Sequence, residues 1–177
     1  LKNLGKKSIV DVSLGDQVNV KMTILFSDIR SFTSISESMT PKENFEFLNN
    51  YLSEMSPIIR DNNGYIDKFM GDGIMALFKN SANDAVNAAI KMQRYLCQYN
   101  IKAETNGQHI IKIGIGINTG QMMLGTLGET NRMEGSVISD SVNLASRLES
   151  VNKIYKTYII ISEETIKNLD KNLFNSR

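Results

Sequence analysis

Residues 22–27, Met22-Thr23-Ile24-Leu25-Phe26-Ser27, form an almost unbroken apolar run. A segment this short and this uniformly apolar fits a strand covered on both faces. Thr40-Pro41-Lys42-Glu43 follows with capping-box spacing and proline at the first helical position. Phe45, Leu48, Leu52 and Met55 then recur at intervals of one helical face, with Pro57 expected to end or kink the helix. Asn62-Asn63-Gly64 turns the chain into residues 65–70, and Gly71-Asp72-Gly73 turns it again into 74–78, a hairpin signal. A second helix is expected over 82–99, aligning Ala85, Ala89, Met92 and Leu96. Ile111, Ile113, Ile115 and Ile117 alternate with Lys112, Gly114 and Gly116, which is the period of a strand.

The order strand, helix, strand, strand, helix, strand predicts an α+β fold with a ferredoxin-like βαββαβ core. The C-terminal additions are read as a strand at 121–124, a glycine-rich excursion through Gly135, and a short helix from Asp140. A strand at 158–161 and a last helix capped by Ser162 complete them. Residues 1–20, with a turn signal at Leu14-Gly15-Asp16-Gln17, read as a lead-in from an upstream region, and 21–177 as the main domain.

A chain of 177 residues suits one domain. Its 20 Lys and Arg nearly cancel 19 Asp and Glu, leaving a net charge of +1 with no basic run, so nucleic acid is not the expected partner. The lone Cys97 has no internal partner for a disulfide, which favours a reducing, cytoplasmic setting. One histidine and one cysteine leave no structural zinc site. No apolar run reaches the ~18–20 residues of a membrane span, and no signal peptide opens the chain. The start at Leu1 reads as an excised domain, with room upstream for a sensor or membrane anchor.

Two carboxylates carry the chemical signal. Asp28 closes the first strand, where it either caps the turn Ile29-Arg30-Ser31 or ligates a metal beside the backbone N–H groups of Ser31, Phe32 and Thr33. Asp72 sits between two glycines, where it is either a hairpin-turn residue or a second ligand. In the ferredoxin-like order the first strand and the hairpin are neighbours, so both carboxylates reach the same end of the sheet. Mg²⁺ favours one or two carboxylates completed by water and phosphate, and two ions ~3.5–4 Å apart can stabilise both oxygens of an in-line displacement. Asn143 and Arg147 stand four residues apart, on one helical face. That face is either merely solvated, with Asp140 as cap, or aimed at charge developing on a phosphate and at a ribose.

Three stretches, Phe26-Ser27-Asp28-Ile29-Arg30-Ser31-Phe32-Thr33, Asp67-Lys68-Phe69-Met70-Gly71-Asp72 and residues 137–147, resemble the signature motifs of the class III nucleotidyl cyclases. Gly116-Ile117-Asn118-Thr119-Gly120 is similar to a further family strand end. The resemblance covers about 22–169 and is strongest to bacterial adenylate cyclases with Lys and Thr at the base-selecting positions. It implies Asp28 and Asp72, with the Ile29 backbone, as ligands of two Mg²⁺ or Mn²⁺ ions, and Asn143 and Arg147 as the transition-state pair. It also implies Lys68 and Ser136 as base-selecting residues; an ammonium donates to adenine N1, where guanine carries an N–H. ATP is then the expected substrate, cyclic AMP and pyrophosphate the products, and a homodimer with shared sites the expected assembly. The chain departs from the family at Ser136, at Arg132-Met133-Glu134-Gly135, and in ending at Arg177, before a lysine-bearing hairpin. The rival readings are a guanylate cyclase, a nucleotide-binding regulatory domain without turnover, and, more remotely, an RNA-binding ferredoxin-like domain.

Overall fold

The computed structural model describes residues 17–129 and 132–170; of 126–129, 132–136 and 138 it describes the backbone alone. The expected lead-in turn, apart from Gln17, lies outside the described residues. In chain order the elements are β1 (Gln17–Ile29), α1 (Phe32–Ser36), α2 (Pro41–Asp61), β2 (Gly64–Met70), β3 (Gly73–Phe78) and α3 (Ala82–Thr105). β4 (Ile113–Glu129), β5 (Arg132–Ile138), α4 (Asp140–Tyr155), β6 (Ile159–Ile161) and α5 (Glu163–Lys167) follow. The strands form one sheet ordered β2-β3-β1-β4-β5, with β6 parallel to β4. Its β4-β1-β3-β2 part is antiparallel throughout, which is the ferredoxin-like core expected from the sequence.

β1 owes its apolar run to cover on both faces. Leu25 and Ile29 join Met55 and Ile59 of α2, and Ala85, Ala89 and Met92 of α3, in one core. Met22, Ile24 and Phe26 point the other way, with Met75, Leu77, Met122 and Ala145 of α4. Each fully buried side chain of this size contributes roughly 1.5–3 kcal/mol.

Local signals set most boundaries. Thr40 and Glu43 form the reciprocal capping box: Thr40 N–H donates to Glu43 Oε2 at 2.7 Å, and Glu43 N–H to Thr40 Oγ1 at 3.3 Å. Pro57 does not stop α2, which continues to Asp61 because Pro57 lies on the solvent side while Met55 and Ile59 anchor the inner face. That inner face is turned from the expected one. Phe45 is 71% exposed, and Phe47 and Tyr51 point inward instead. α3 outruns its expected end at residue 99 because Asn100 is tied to Ile111 through both its amide groups, holding the last turns to the sheet.

The largest difference lies in β4. Where two strands and a glycine-rich excursion were expected, one strand runs from Ile113 to Glu129 and turns back as β5. β1 templates it, pairing in register from Gln17↔Gly125 to Ile29↔Ile113. The glycines serve packing. A Cβ at Gly116 would run into the Glu149 nitrogen and the Ala145 carbonyl of α4, and one at Gly120 into Ser141. Asn152, fully buried, adds a staple by donating to the Ile115 carbonyl at 2.9 Å. α4 is accordingly a full helix of 16 residues rather than a short one.

Gly116→Ala is therefore expected to lower unfolding free energy by about 1–3 kcal/mol, the usual cost of overpacking. Urea denaturation checks this, with an unchanged slope and a shifted midpoint as the expected result.

Candidate active site

Alternation along β1 decides where Asp28 points. Met22, Ile24 and Phe26 face the α4 side of the sheet, so Asp28 does too. β1 pairs with β3 as far as Ser27↔Ile74, and just beyond that pair lies the turn Gly71-Asp72, with Gly71 at φ 63°. The turn brings Asp72 back onto β1, where its Oδ2 accepts the Ile29 N–H at 3.0 Å. The pKa of the Asp72 carboxyl is pushed up to about 6, first by burial, then by the hydrogen bond its protonated form donates to Asp28 and by the Asp28 charge. The amides of Asp72 and Ile29 offset part of this. Two carboxylates thus crowd one spot. Asp28, Ile29 and Asp72, expected together, are brought together.

From the opposite side of the sheet, Tyr51 of α2 reaches the same region. It is 3% exposed. Burial drives its hydroxyl acidity down, a nearby Ser27 opposes this, and the Asp72 and Asp28 charges add to it. Neither the Tyr51 nor the Ser27 hydroxyl completes a well-formed hydrogen bond. Past β1, Arg30 N–H donates to the Lys112 carbonyl at 2.7 Å, and Ser31 takes the left-handed conformation at φ 56°. The first-turn amides of α1, at Phe32 and Thr33, open from there.

α4 is capped by Ser139 rather than Asp140: Ser139 Oγ accepts the Ser141 N–H at 2.8 Å and donates to the Gln121 carbonyl at 2.7 Å. Asn143 and Arg147 share its outer face and are exposed, while Ala145, Glu149 and Asn152 face β4. Lys68 follows a bulge at Asp67 in β2 and pairs with Met75, which puts it on the same sheet face as Asp28. Its ammonium lies 3.5 Å from Asp67 Oδ2 and its side chain is 43% exposed. Ser136 stands opposite Gly125 in the β4–β5 ladder; its side chain lies outside the described ones. Among the described residues, no hydrogen bond or ion pair joins Lys68, Asn143 or Arg147 to either aspartate. His109 packs edge-on against Phe47, with ring centroids 6.2 Å apart, on the helical side of the sheet and away from the pair.

Three neighbours of the site were not singled out from sequence: Tyr51, Arg30 and Glu149. Tyr51 could have been found by shifting the helical face of α2 by one residue. Arg30 lies inside a quoted motif, but its partner Glu149 is visible only once α4 is laid on β4.

An aspartate pair on a β1–β3 corner, a helix presenting Asn and Arg, and this sheet order define a cyclase fold. The adenylate and guanylate cyclase catalytic domain model matches residues 15–177, and the chain belongs to that family. It is 43% identical over 171 residues to an adenylate cyclase of Anabaena cylindrica, covering 94% of this chain and 34% of that protein. It is 44% identical over 162 residues to the terminal-differentiation specific adenylate cyclase of Dictyostelium discoideum, covering 89% of this chain and 8% of that protein. The chain thus spans only a minor part of either relative. The crystal structure of the guanylyl cyclase Cya2 superposes with a TM-score of 0.76 at 38% identity, covering 90% of this chain and 82% of that one. Family membership implies a divalent metal. The residues fit one, since two carboxylates at one corner offer the hard oxygen donors such a cation takes.

The raised pKa of Asp72 has a consequence for stability. An acid that holds its proton more tightly when folded stabilises the fold below its unfolded value of about 4. That contribution is lost as pH rises through about 6. Asp28→Asn removes the like charge but not the burial, so it is expected to lose less stability across this window. Calorimetry of the metal-free protein checks this, with the melting-temperature difference shifting in favour of the variant between about pH 4 and about pH 6.

Proposed function

We propose that the chain is the catalytic domain of an adenylate cyclase, forming 3′,5′-cyclic AMP and pyrophosphate from ATP at sites shared between two copies. The observation that carries this is the Asp28–Asp72 pair, two carboxylates held together at one sheet corner. Asp28 and Asp72, with the Ile29 carbonyl, hold Mg²⁺ or Mn²⁺, two ions per site. Bound there, the cations neutralise phosphate charge and favour ionisation of the 3′-hydroxyl. The first-turn amides at Ser31, Phe32 and Thr33 receive phosphate oxygens. Asp28 orients the 3′-hydroxyl and draws its proton. The O3′–Pα bond forms as the bond from Pα to the bridging oxygen breaks, and pyrophosphate leaves with the electron pair.

Asn143 and Arg147 come from the second copy, which explains why they stand exposed on α4 rather than against their own chain's aspartates. Asn143 orients the ribose. Arg147 meets charge developing on the α-phosphate, a role suited to a fixed, always-charged fork of donors. Positioning and charge stabilisation supply most of the rate.

Lys68 supports adenine over guanine. Its ammonium, exposed beside Asp67, donates to adenine N1 and meets an N–H in guanine; the hydroxyl of Ser136 accepts from the adenine amino group. The relatives named as adenylate cyclases agree with this base, whereas similar solved structures include both a guanylyl and an adenylyl cyclase. A sensor domain outside the chain is the natural source of control.

Incubation with ATP or GTP and Mn²⁺, followed by chromatography, is expected to give cyclic AMP in large excess. Lys68→Glu is expected to lower ATP turnover by roughly 10- to 100-fold, in line with a lost hydrogen bond and an unpaired acceptor costing about 1–3 kcal/mol. Unaltered ATP kinetics in that variant would remove Lys68 from the site.

A further inference from the structure

Gly114 of β4 lies directly across from Asp28 of β1. A Cβ there would meet the Arg30 guanidinium and the Glu149 carboxylate, so these side chains occupy the slot the glycine leaves. Arg30 Nη1 and Glu149 Oε1 face each other at 3.7 Å, with side chains 18% and 8% exposed. Arg30 Nη2 also reaches the Thr157 carbonyl, just past the end of α4, at 3.5 Å. One side chain just past β1, two positions from Asp28, therefore grips both the inner face and the exit of the helix that presents Asn143 and Arg147.

Stability does not account for this arrangement. Burying opposite charges costs more than it returns unless hydrogen bonds complete them. Here Arg30 Nη1 and Glu149 Oε1 are both buried without a hydrogen bond. Apolar side chains would fill the slot at lower cost. Asn152 to Ile115 and Ser139 to Gln121 tie α4 to β4, whereas the charge pair ties it to the segment that carries Asp28.

We propose that Arg30 and Glu149 are positioning residues that fix α4, and with it Asn143 and Arg147, against the strand carrying Asp28. The inference rests on the shared-site reading above. In that reading, the α4 of one copy acts on substrate held by the aspartates of the other. Glu149 lies near its own chain's Asp28, whose charge acts on it, yet it serves the opposite site.

Directional complementation tests this. Glu149→Gln keeps the volume and removes the charge. Gly114→Ala presses a Cβ only on the two side-chain tips and leaves the α4 backbone alone, so it carries the test should Glu149→Gln fold poorly. Each is expected to lower kcat by about 10- to 100-fold, with KM for ATP changed less than about twofold. Mixed in equal amounts with Asp28→Asn protein, either is expected to regain about a quarter of wild-type activity, from one intact site per mixed dimer. Mixed with Arg147→Ala protein it is expected to regain none, since both copies then carry a defective α4. The Asp28→Asn and Arg147→Ala proteins mixed together form the control. No recovery in the control defeats the shared-site reading itself, and this inference with it. With the control recovering, rescue by Arg147→Ala, rescue by neither partner, or wild-type kcat in Glu149→Gln each overturns the positioning role alone.

Discussion

The pairing of β1 between β3 and β4 is the constraint on which the site depends. Antiparallel register with β3 ends at Ser27↔Ile74, so the β2–β3 turn must double back beside Asp28. The Ile29 N–H then captures Asp72. Strand alternation sets the face of Asp28, and the turn at Gly71, with its positive φ, brings Asp72 beside it. Burial first, and then the neighbouring Asp28 carboxylate, raise the pKa of Asp72 at this corner. The apolar run of β1, buried on both faces, supplies the rigidity that holds it.

β4 plays the complementary part. Its alternating glycines let α4 approach to backbone contact, and Asn152, Glu149 and Ala145 fill the seam. The same closeness leaves the outer face of α4 free to carry Asn143 and Arg147 toward another surface. The aspartate corner and the helix presenting Asn143 and Arg147 are thus two products of one strand pair, β1 and β4.

Much of this was legible in the residues, and the reasons differ by element. The capping box at Thr40 and Glu43 and the cap at Ser162 are local chemistry, readable without tertiary context. The aspartate pair was legible because small residues and apolar strands flank it in sequence. The continuity of β4 was not, since Gly120, Gly125 and Gly128 read as breaks; pairing along the whole of β1 overrides that reading, and β5 carries the pairing on through Gly128↔Met133. The inner face of α2 was misplaced because Phe45 and Phe47 serve two nearby helical stripes equally well, and only the docking of Tyr51 near Ser27 chooses between them. The Arg30–Glu149 contact joins distant parts of the chain and has no local signature.

Mn²⁺ binding to the nucleotide-free protein, followed by electron paramagnetic resonance, addresses the aspartate pair most directly. Asparagine at either position keeps an acceptor oxygen but removes a charge. Asp28→Asn and Asp72→Asn are each expected to abolish saturable Mn²⁺ binding while leaving the melting temperature near pH 7 equal to or above wild type, because one like charge is gone. Retained Mn²⁺ binding in Asp72→Asn, together with a lowered melting temperature, would make Asp72 a turn residue only and contradict the metal site.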